Sequence, residues 1–382
     1  MRAPRCGADR LEEFAHLFRN ARVGLVTGPT GRTGDGRSTV DALRALCGLR
    51  ALFGAEHGVR GDVPAGEAVH TRTDRRTSLP VYSLYGPDEA SRRLAPEMLD
   101  CFDVLVYDIQ DVGSRYYTFL STLYWLVRDC AANGKPLVVL DRPDPLGGLR
   151  VEGGCLDPAL ASFVGCCPVP NRYGLTPGEF AALVNGREGA GCDLTVVPCQ
   201  GWRRDMLWPE WGRPWVLPSP NIPRFDTALL YVGTCLLEGA NLSEGRGTAD
   251  PFALLGAPWA GDAEDLAAAF RALRLPGVEA TPAHFTPTAS KYRGELCAGV
   301  HLHVTDCRAL RPLETGIRLL ELFRDRCPQF QLLPPPSPAA VPFLSQLAGH
   351  RDFESPTWTA DKVLSRHPGA YLQEKTAYHL YD

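Results

Sequence analysis

The 382-residue chain lacks features that would assign it to several classes of protein. No run of 18 apolar residues occurs, so the sequence predicts no membrane-spanning helix. Its net charge is -4 and its isoelectric point is about 6.2, so no excess of positive charge attracts nucleic acid or an anionic membrane. We therefore expect neither nucleic acid nor a membrane among its partners.

The 13 cysteines also lack a recognisable pattern. No two of them are spaced as CxxC, and only Cys166 and Cys167 are adjacent, which argues against a structural zinc site. An odd number of scattered cysteines is typical of reduced thiols in the cytosol. The first ten residues are polar and charged, without the apolar stretch of a signal peptide. The sequence thus predicts a soluble, cytoplasmic protein.

Common catalytic and nucleotide-binding motifs are missing as well. The chain has neither a GxSxG nucleophile elbow nor an HExxH metal motif. Its glycine-rich segments match neither the P-loop nor the dinucleotide fingerprint, so a nucleotide-dependent enzyme is a weak interpretation. We expect no metal and no other cofactor.

What the sequence does contain is the pattern of an α/β protein. Short β-branched runs alternate with amphipathic stretches through the first half, as in the βαβ units of a parallel sheet. Strands are predicted at 23–27, 50–53, 80–84, 103–107, 136–140, 194–197, 281–285 and 297–304. Helices are predicted at 10–20, 40–46, 116–133, 177–186, 226–237, 262–273 and 312–326.

A change in composition suggests where one domain ends. Residues 201–225 hold four tryptophans and five prolines, which favours an extended crossing over regular structure. We predict a parallel-sheet domain at 1–225 and a second domain at 226–382. Residues 334–338 are expected to form a loop of polyproline geometry.

Carboxylates follow three of the predicted strands. Glu56 comes after the second strand, Asp108 and Asp111 after the fourth, and Asp141 after the fifth. The carboxyl ends of parallel strands meet at one edge of a sheet, where ligands bind, so we expect these side chains to converge. Paired carboxylates suit glycoside hydrolysis, which needs one acid and one base, nucleophile or stabiliser. For each aspartate the alternative is a turn or cap, and Asp141 can also form an ion pair with the next residue.

The Glu56–His57 pair is harder to explain as a turn. Gly54 and Gly58 flank it, which indicates a special backbone dihedral or a close backbone approach, and glutamate is a poor turn former. We therefore predict a functional role for Glu56 and, with less support from its neighbours, for His57.

The second predicted domain offers one polar, glycine-rich segment, residues 238–248. Asn241 and Ser243 suit sugar hydroxyls or an amide, and Arg246 can hold a carboxylate through its planar fork. Glu238 begins the segment. The alternative is a solvated loop.

Several long blocks resemble the NamZ-type exo-β-N-acetylmuramidases, and the similarity runs in order from about residue 22 to about residue 325. The blocks are Gly24–Gly31, Leu52–Asp62, Leu79–Gly86, Asp108–Thr118, Asp141–Gly148, Pro218–Asn221, Glu238–Thr248 and Lys291–Glu295. The region after about residue 340 resembles the family less.

This resemblance implies a Rossmann-like domain, a smaller α/β domain and a cleft between them. It also implies release of N-acetylmuramic acid from the non-reducing end of peptidoglycan fragments such as the MurNAc–GlcNAc disaccharide. The intact Glu-His-Gly block makes Glu56 the expected catalytic carboxylate. Asp108, Asp111 and Glu238, in that order, are candidates for the second catalytic group, and assistance by the acetamido group of the substrate is a further possibility.

We expect the remaining site residues to bind the sugar. Arg246, or Arg115, would bind the lactyl carboxylate of muramic acid, while Tyr117 would support the sugar ring. Further substrate-binding candidates are His57, Asp141, Asn221, Glu238, Asn241 and Ser243. A second interpretation is a sensor that binds muropeptides or sugars in the same cleft without catalysis. The sequence predicts no oligomeric state.

Overall fold

The computed structural model describes residues 3–63, 66, 67, 70–337 and 339–382. Two sheets organise it, one of seven strands and one of three. The strands are β1 (Arg22–Thr27), β2 (Gly48–Gly54), β3 (Arg72–Thr73), β4 (Pro80–Ser83), β5 (Val104–Asp108), β6 (Leu137–Leu140), β7 (Leu194–Val197), β8 (Leu254–Ala257), β9 (Val278–Phe285) and β10 (Cys297–Val304). Every predicted strand is present, and the fold class is confirmed as α/β with a parallel sheet and a second, smaller sheet. Of the predicted loop at 334–338, residue 338 lies outside the described residues.

The seven-stranded sheet has the strand order of a Rossmann-like fold. Its strands run β3-β4-β2-β1-β5-β6-β7, and only the β3–β4 pair is antiparallel. The parallel strands therefore wind outward in two directions from β1 and β5. In such sheets the gap between the two central strands is the usual place for a ligand.

The central strands alternate their side chains between two cores, because successive residues of a strand point to opposite faces. Val23 and Leu25 pack with Val40 and Leu43 on one face, while Val26 faces the larger core on the other. Both faces are thus covered, as expected for a buried parallel sheet.

The longer helices agree with the predicted positions to within a few residues, and some of them begin at side-chain caps. Ser38 accepts a hydrogen bond from Val40 N at 3.3 Å, and Thr176 with Glu179 forms a capping box. The helices are α1 (Thr39–Leu46), α2 (Pro96–Leu99), α3 (Thr118–Ala132), α4 (Pro177–Glu188), α5 (Phe225–Thr234), α6 (Ala263–Ala272), α7 (Pro312–Arg326), α8 (Phe343–Ala348), α9 (Ala360–Leu364) and α10 (Tyr371–Glu374).

The predicted helix at 10–20 is wrong. The segment contains only two 3-10 turns, Gly7–Arg10 and Ala15–Leu17. Arg10 donates to the distant Pro198 carbonyl at 2.7 Å, and its neighbour Asp9 pairs with Arg213. These long-range contacts override a helix propensity that is a weak preference by itself.

The smaller sheet is antiparallel, with β10 between β8 and β9. Helix α6 packs against β9 and β10, and α5 crosses α7 where Gly233 lies against Gly316. A Cβ atom on Gly233 would lie 1.9 Å from the Pro312 carbonyl oxygen, so only glycine permits this approach. Within the described residues, each helix is too short or too polar to cross a membrane.

The end of the chain returns to the seven-stranded sheet. The Tyr381 hydroxyl donates to Asp141 at 2.5 Å, and the Tyr371 hydroxyl donates to the Tyr173 carbonyl at 2.7 Å. The boundary at 225/226 stays a prediction, and these contacts tie the last residues to the first sheet.

Candidate active site

A cleft of about 850 Å³ separates the carboxyl end of the seven-stranded sheet from the segment that follows α5. Both parts of the chain contribute walls, and the lining is rich in aromatic and polar side chains. It includes Glu56, His57, Tyr85, Tyr117, Thr118, Phe163, Asn221, Tyr231, Glu238, Arg246, Phe252, Ser290, Phe343 and Leu347.

Glu56 lies directly after β2 and is held by three segments of the chain. Its Oε2 accepts a hydrogen bond from Thr118 Oγ1 at 2.5 Å. Its Oε1 accepts from the Tyr85 hydroxyl at 3.2 Å and from Gly66 N at 3.1 Å. Burial and the nearby Glu56 raise the pKa of Tyr85 to about 12, so that hydroxyl stays protonated. The carboxyl is thus fixed by donors while it lines the cleft.

His57 has a φ angle of 71°, a backbone conformation that residues other than glycine rarely adopt. Its Nδ1 lies 3.1 Å from the Val63 carbonyl oxygen. A carbonyl only accepts, so Nδ1 carries the proton, and burial lowers the pKa of the imidazole. His57 is therefore neutral near pH 7, with Nε2 as an acceptor.

Arg246 is the cation of the opposite wall. Its Nη2 donates to Glu238 at 2.7 Å, and its Nε lies 3.3 Å from Glu244. The guanidinium also stacks over the Phe252 ring at 5.0 Å. The two carboxylates raise the pKa of Arg246 despite its burial, so its charge is permanent.

Tyr117 occupies the floor of the cleft between the two walls. Its ring packs edge-on against Phe119, with centroids 4.9 Å apart, and against Tyr231 at 6.1 Å. Its hydroxyl is buried without a hydrogen-bond partner among the described residues. Tyr117 lines the cleft, and its support of the sugar ring stays a prediction.

Asp108 does not reach the cleft, which corrects the expected convergence of carboxylates. It is fully buried and pairs with Arg142 through Nε at 2.6 Å and Nη2 at 3.0 Å. This pair lies at the carboxyl ends of β1 and β5, beside Gly31, whose added Cβ would lie 3.3 Å from Asp108. Arg142 also lines a separate cavity of about 250 Å³ at the ends of these two strands, whereas the cleft that holds Glu56 lies at the end of β2.

Asp111 and Asp141 are likewise buried behind the cleft. Asp111 accepts from the Tyr173 hydroxyl at 2.6 Å, and burial raises its pKa to about 6. Asp141 accepts from Thr176 and from Gly178 N, both at 2.8 Å, and burial raises its pKa to about 7. Both carboxyls hold the chain together, and neither lines the cleft.

Three predicted binding residues stabilise the backbone and lie outside the cleft lining. Arg115 is fully buried and donates to the carbonyls of Val169 and Leu347, each at 2.8 Å. Asn241 bonds the 329–331 segment at 2.8 Å through both its amide atoms. Ser243 caps a tight turn by accepting from Gly245 N at 3.2 Å. Asn221 and Glu238 do line the cleft.

Sequence reasoning missed several lining residues. Tyr85 and Thr118 hold Glu56 directly, and both belong to blocks already recognised as similar to the family. Ser290 donates to Glu244 at 3.2 Å, and Phe163 forms part of the wall. Spacing gave no signal for Phe163, because it lies in an irregular loop. The described residues contain no group of three or more His, Cys, Asp or Glu arranged to hold a metal ion.

Solved structures share this architecture over the full chain. A DUF1343 family protein from Bacteroides fragilis superposes with a TM-score of 0.89 at 34% identity, covering 100% of both chains. A second DUF1343 family protein from that organism gives a TM-score of 0.73 at 26% identity, covering 99% of both chains.

Sequence comparison gives the family. Over 321 residues the chain is 44% identical to the peptidoglycan beta-N-acetylmuramidase NamZ of Bacillus subtilis (strain 168). The matched region covers 84% of this chain and 77% of that protein. Residues 23–226 match the family model for the N-terminal part of exo-beta-N-acetylmuramidase NamZ, and residues 229–381 match the model for its C-terminal part. The chain therefore belongs to the NamZ family of exo-β-N-acetylmuramidases.

Proposed function

We propose that this protein is an exo-β-N-acetylmuramidase, a glycoside hydrolase that removes terminal non-reducing N-acetylmuramic acid from peptidoglycan fragments of the MurNAc–GlcNAc type. Family membership supports the reaction class. The observation that carries the proposal to this chain is the cleft itself, where Glu56 lies on one wall and Arg246 on the other. One group suits proton transfer and the other suits an anionic substituent of a sugar.

Glu56 acts as the general acid that protonates the glycosidic oxygen. The hydroxyls of Tyr85 and Thr118 bind its two oxygens and can either donate or accept, so they fit both the protonated and the ionised carboxyl. Fixing both oxygens places the acid before the substrate arrives, which lowers the entropic cost of reaching the transition state.

The acetamido oxygen of the substrate supplies the nucleophile. Glu238 is bound to Arg246, and the predicted partners Asp108 and Asp111 lie outside the cleft lining. The acetamido oxygen attacks C1, the bond to the leaving oxygen breaks, and the proton of Glu56 goes to that oxygen. Water then opens the cyclic intermediate and returns a proton to Glu56. The first product is expected as the β-anomer, which proton NMR detects.

Arg246 binds the lactyl carboxylate that distinguishes muramic acid from glucosamine. It is the one arginine or lysine lining the cleft within the described part of the chain. Its Nη2 and Nε are occupied by Glu238 and Glu244, which leaves Nη1 for the substrate.

The test is hydrolysis of 4-nitrophenyl β-N-acetylmuramide beside the matching glucosaminide. We expect release from the muramide only, and a loss of several orders of magnitude in turnover for Glu56→Gln with an unchanged melting temperature. Glu12→Gln, an exposed glutamate far from the cleft, is the matched control. If the unaltered protein binds the muramide without hydrolysing it, the sensor interpretation replaces the enzyme interpretation. If Glu56→Gln hydrolyses the muramide at the rate of the unaltered protein, Glu56 is not the general acid.

The cytoplasmic location belongs to the same proposal, with peptidoglycan fragments taken up by the cell as the substrate. All 13 cysteines are free thiols, and eight of them are buried, for example Cys6, Cys130 and Cys199. Reduced thiols are the rule in the cytosol. A fractionation experiment on cells that make the protein checks the location.

A further inference from the structure

Beside Glu56, the cleft wall carries an aromatic ring that the mechanism does not use. Phe163 lines the cleft, and its ring centroid lies 5.7 Å from that of Tyr85. Tyr85 in turn donates its hydroxyl hydrogen bond to Glu56. Phe163 thus packs against the tyrosine that binds Glu56, the proposed general acid.

The ring is held in place from several sides yet stays partly exposed. The Arg92 guanidinium lies 4.0 Å from its centroid, and Arg92 Nε donates to the Gly86 carbonyl at 2.9 Å. The carbonyl of Phe163 accepts from Ser121 Oγ on α3 at 2.7 Å. Ligand sites combine apolar and aromatic surface with a few polar groups that fix the orientation of the ligand, and Phe163 and Glu56 line the same cleft.

We propose that Phe163 is the platform on which the leaving-group sugar of the substrate stacks, so that it selects a sugar ring on the reducing side of the cleaved bond. The inference rests on the proposed function. A pyranose ring has a face of C–H bonds that packs against an aromatic face, and stacking places its glycosidic oxygen next to Glu56.

The position of the platform fits the leaving group better than the muramic acid ring. The muramic acid must place its lactyl carboxylate at Arg246, which stacks on Phe252 in the opposite wall. The acid contacts the oxygen shared by the two sugars, so the second sugar lies on the side of Glu56 that Tyr85 and Phe163 occupy.

The experiment compares two substrates that differ only in the leaving group. One is the MurNAc–GlcNAc disaccharide and the other is methyl β-N-acetylmuramide, which has no ring to stack. For Phe163→Ala we expect kcat/KM on the disaccharide to fall about tenfold, the size of one aromatic stacking contact, mainly through KM. On the methyl glycoside kcat/KM should change less than twofold. Phe163→Tyr should keep the activity on both substrates.

Phe14→Ala is the matched control, because Phe14 also lies under an arginine, Arg10 at 5.0 Å, and is far from the cleft. It should change neither substrate. Phe163→Leu retains apolar bulk without a flat face, and it repeats the test if the alanine variant does not fold. An equal loss on both substrates, or no loss on either, overturns the platform while the proposed function stands. Failure of the unaltered protein to cleave either substrate overturns the function and the platform together.

Discussion

The proposed recognition of muramic acid places its lactyl carboxylate at Arg246. Replacement of Arg246 by alanine removes the positive charge that this recognition requires. We expect kcat/KM on 4-nitrophenyl β-N-acetylmuramide to fall about 10- to 100-fold, which corresponds to a charge-assisted hydrogen bond. Activity on the glucosaminide should not fall further, since that substrate lacks the carboxylate.

The control for this substitution is Arg318→Ala, which removes a remote arginine that pairs with Glu321 and Asp361. It should leave both activities unchanged. An Arg246→Ala variant whose kcat/KM on the muramide equals that of the unaltered protein would assign the recognition of the lactyl group to another residue.

Asp108 is a carboxylate that we expect to stabilise the fold rather than to take part in catalysis. Asp108→Asn leaves the buried Arg142 without its ionic partner, and we expect the free energy of unfolding to fall by about 3–5 kcal/mol. The activity per folded molecule should stay near that of the unaltered protein. Urea unfolding and single-turnover rates at low temperature measure the two effects separately.

Asp103→Asn provides the comparison, because Asp103 pairs with Arg22 at 2.7 Å on the surface. Exposed pairs contribute little, so this variant should unfold almost as the unaltered protein does. A large loss of turnover in Asp108→Asn with normal stability would restore the catalytic role expected from the sequence.

At the scale of elements, the segment 238–248 depends on a residue outside it. Lys291 Nζ donates to the carbonyls of Leu237, Glu238, Ala240 and Leu242 at 2.8–3.1 Å. One ammonium group thus shares its three hydrogens among four carbonyl oxygens in the segment that follows α5. Nζ also lies 3.3 Å from Glu244, which pairs with Arg246. We expect Lys291 to hold Arg246 in place without contacting the substrate.

Lys291→Met removes those bonds while it keeps the length of the side chain. We expect a loss of about 2 kcal/mol in stability and a rise in KM for the muramide, because Arg246 is no longer held in place. Lys362→Met, at an exposed lysine, is the control. A variant with lower stability but the same KM would show that the segment keeps its shape without Lys291.

The elements themselves were largely predictable, and two exceptions have different causes. Strands β1, β5 and β7 follow from short runs of β-branched residues, and α4 follows from its capping box. The segment at 10–20 has helical spacing, yet Leu11 and Phe18 pack into the sheet core from positions that directly follow two 3-10 turns. Strand β8 was missed because Leu254–Ala257 has no β-branched residue and no alternation of polar and apolar residues.

For the whole molecule, buried carboxyl groups link stability to pH. Burial raises the pKa of Asp144 to about 7, as it does for Asp111 and Asp141 to about 6 and 7. Between pH 4 and 7 the folded protein holds more protons at these groups than the unfolded chain does. Their contribution to stability is therefore complete below about pH 4 and is lost as the pH rises through 6 to 7.

A variant isolates this effect from opposing groups. Burial lowers the pKa of His350 to about 4, so that histidine removes stability as the pH falls from 6.5 to 4. Asp144→Asn keeps an acceptor for Leu146 N but does not ionise. We expect the melting temperature of this variant, relative to the unaltered protein, to increase steadily from pH 4 to pH 8. A constant difference across that range would contradict the raised pKa of Asp144.

The sequence alone determined the fold class, the order of most elements, and the prediction that Glu56 and Arg246 belong to one site. Local patterns suffice for these, because strand runs, caps and glycine-flanked motifs are written in neighbouring residues. Tertiary structure decided which of the predicted carboxylates lines the cleft. Asp108 and Glu56 both lie at the carboxyl end of a parallel strand, but Asp108 is bound by a buried arginine 34 residues further along the chain, whereas Glu56 lines the cleft. No local pattern reports such a pairing, because it depends on which side chains the folded sheet brings together.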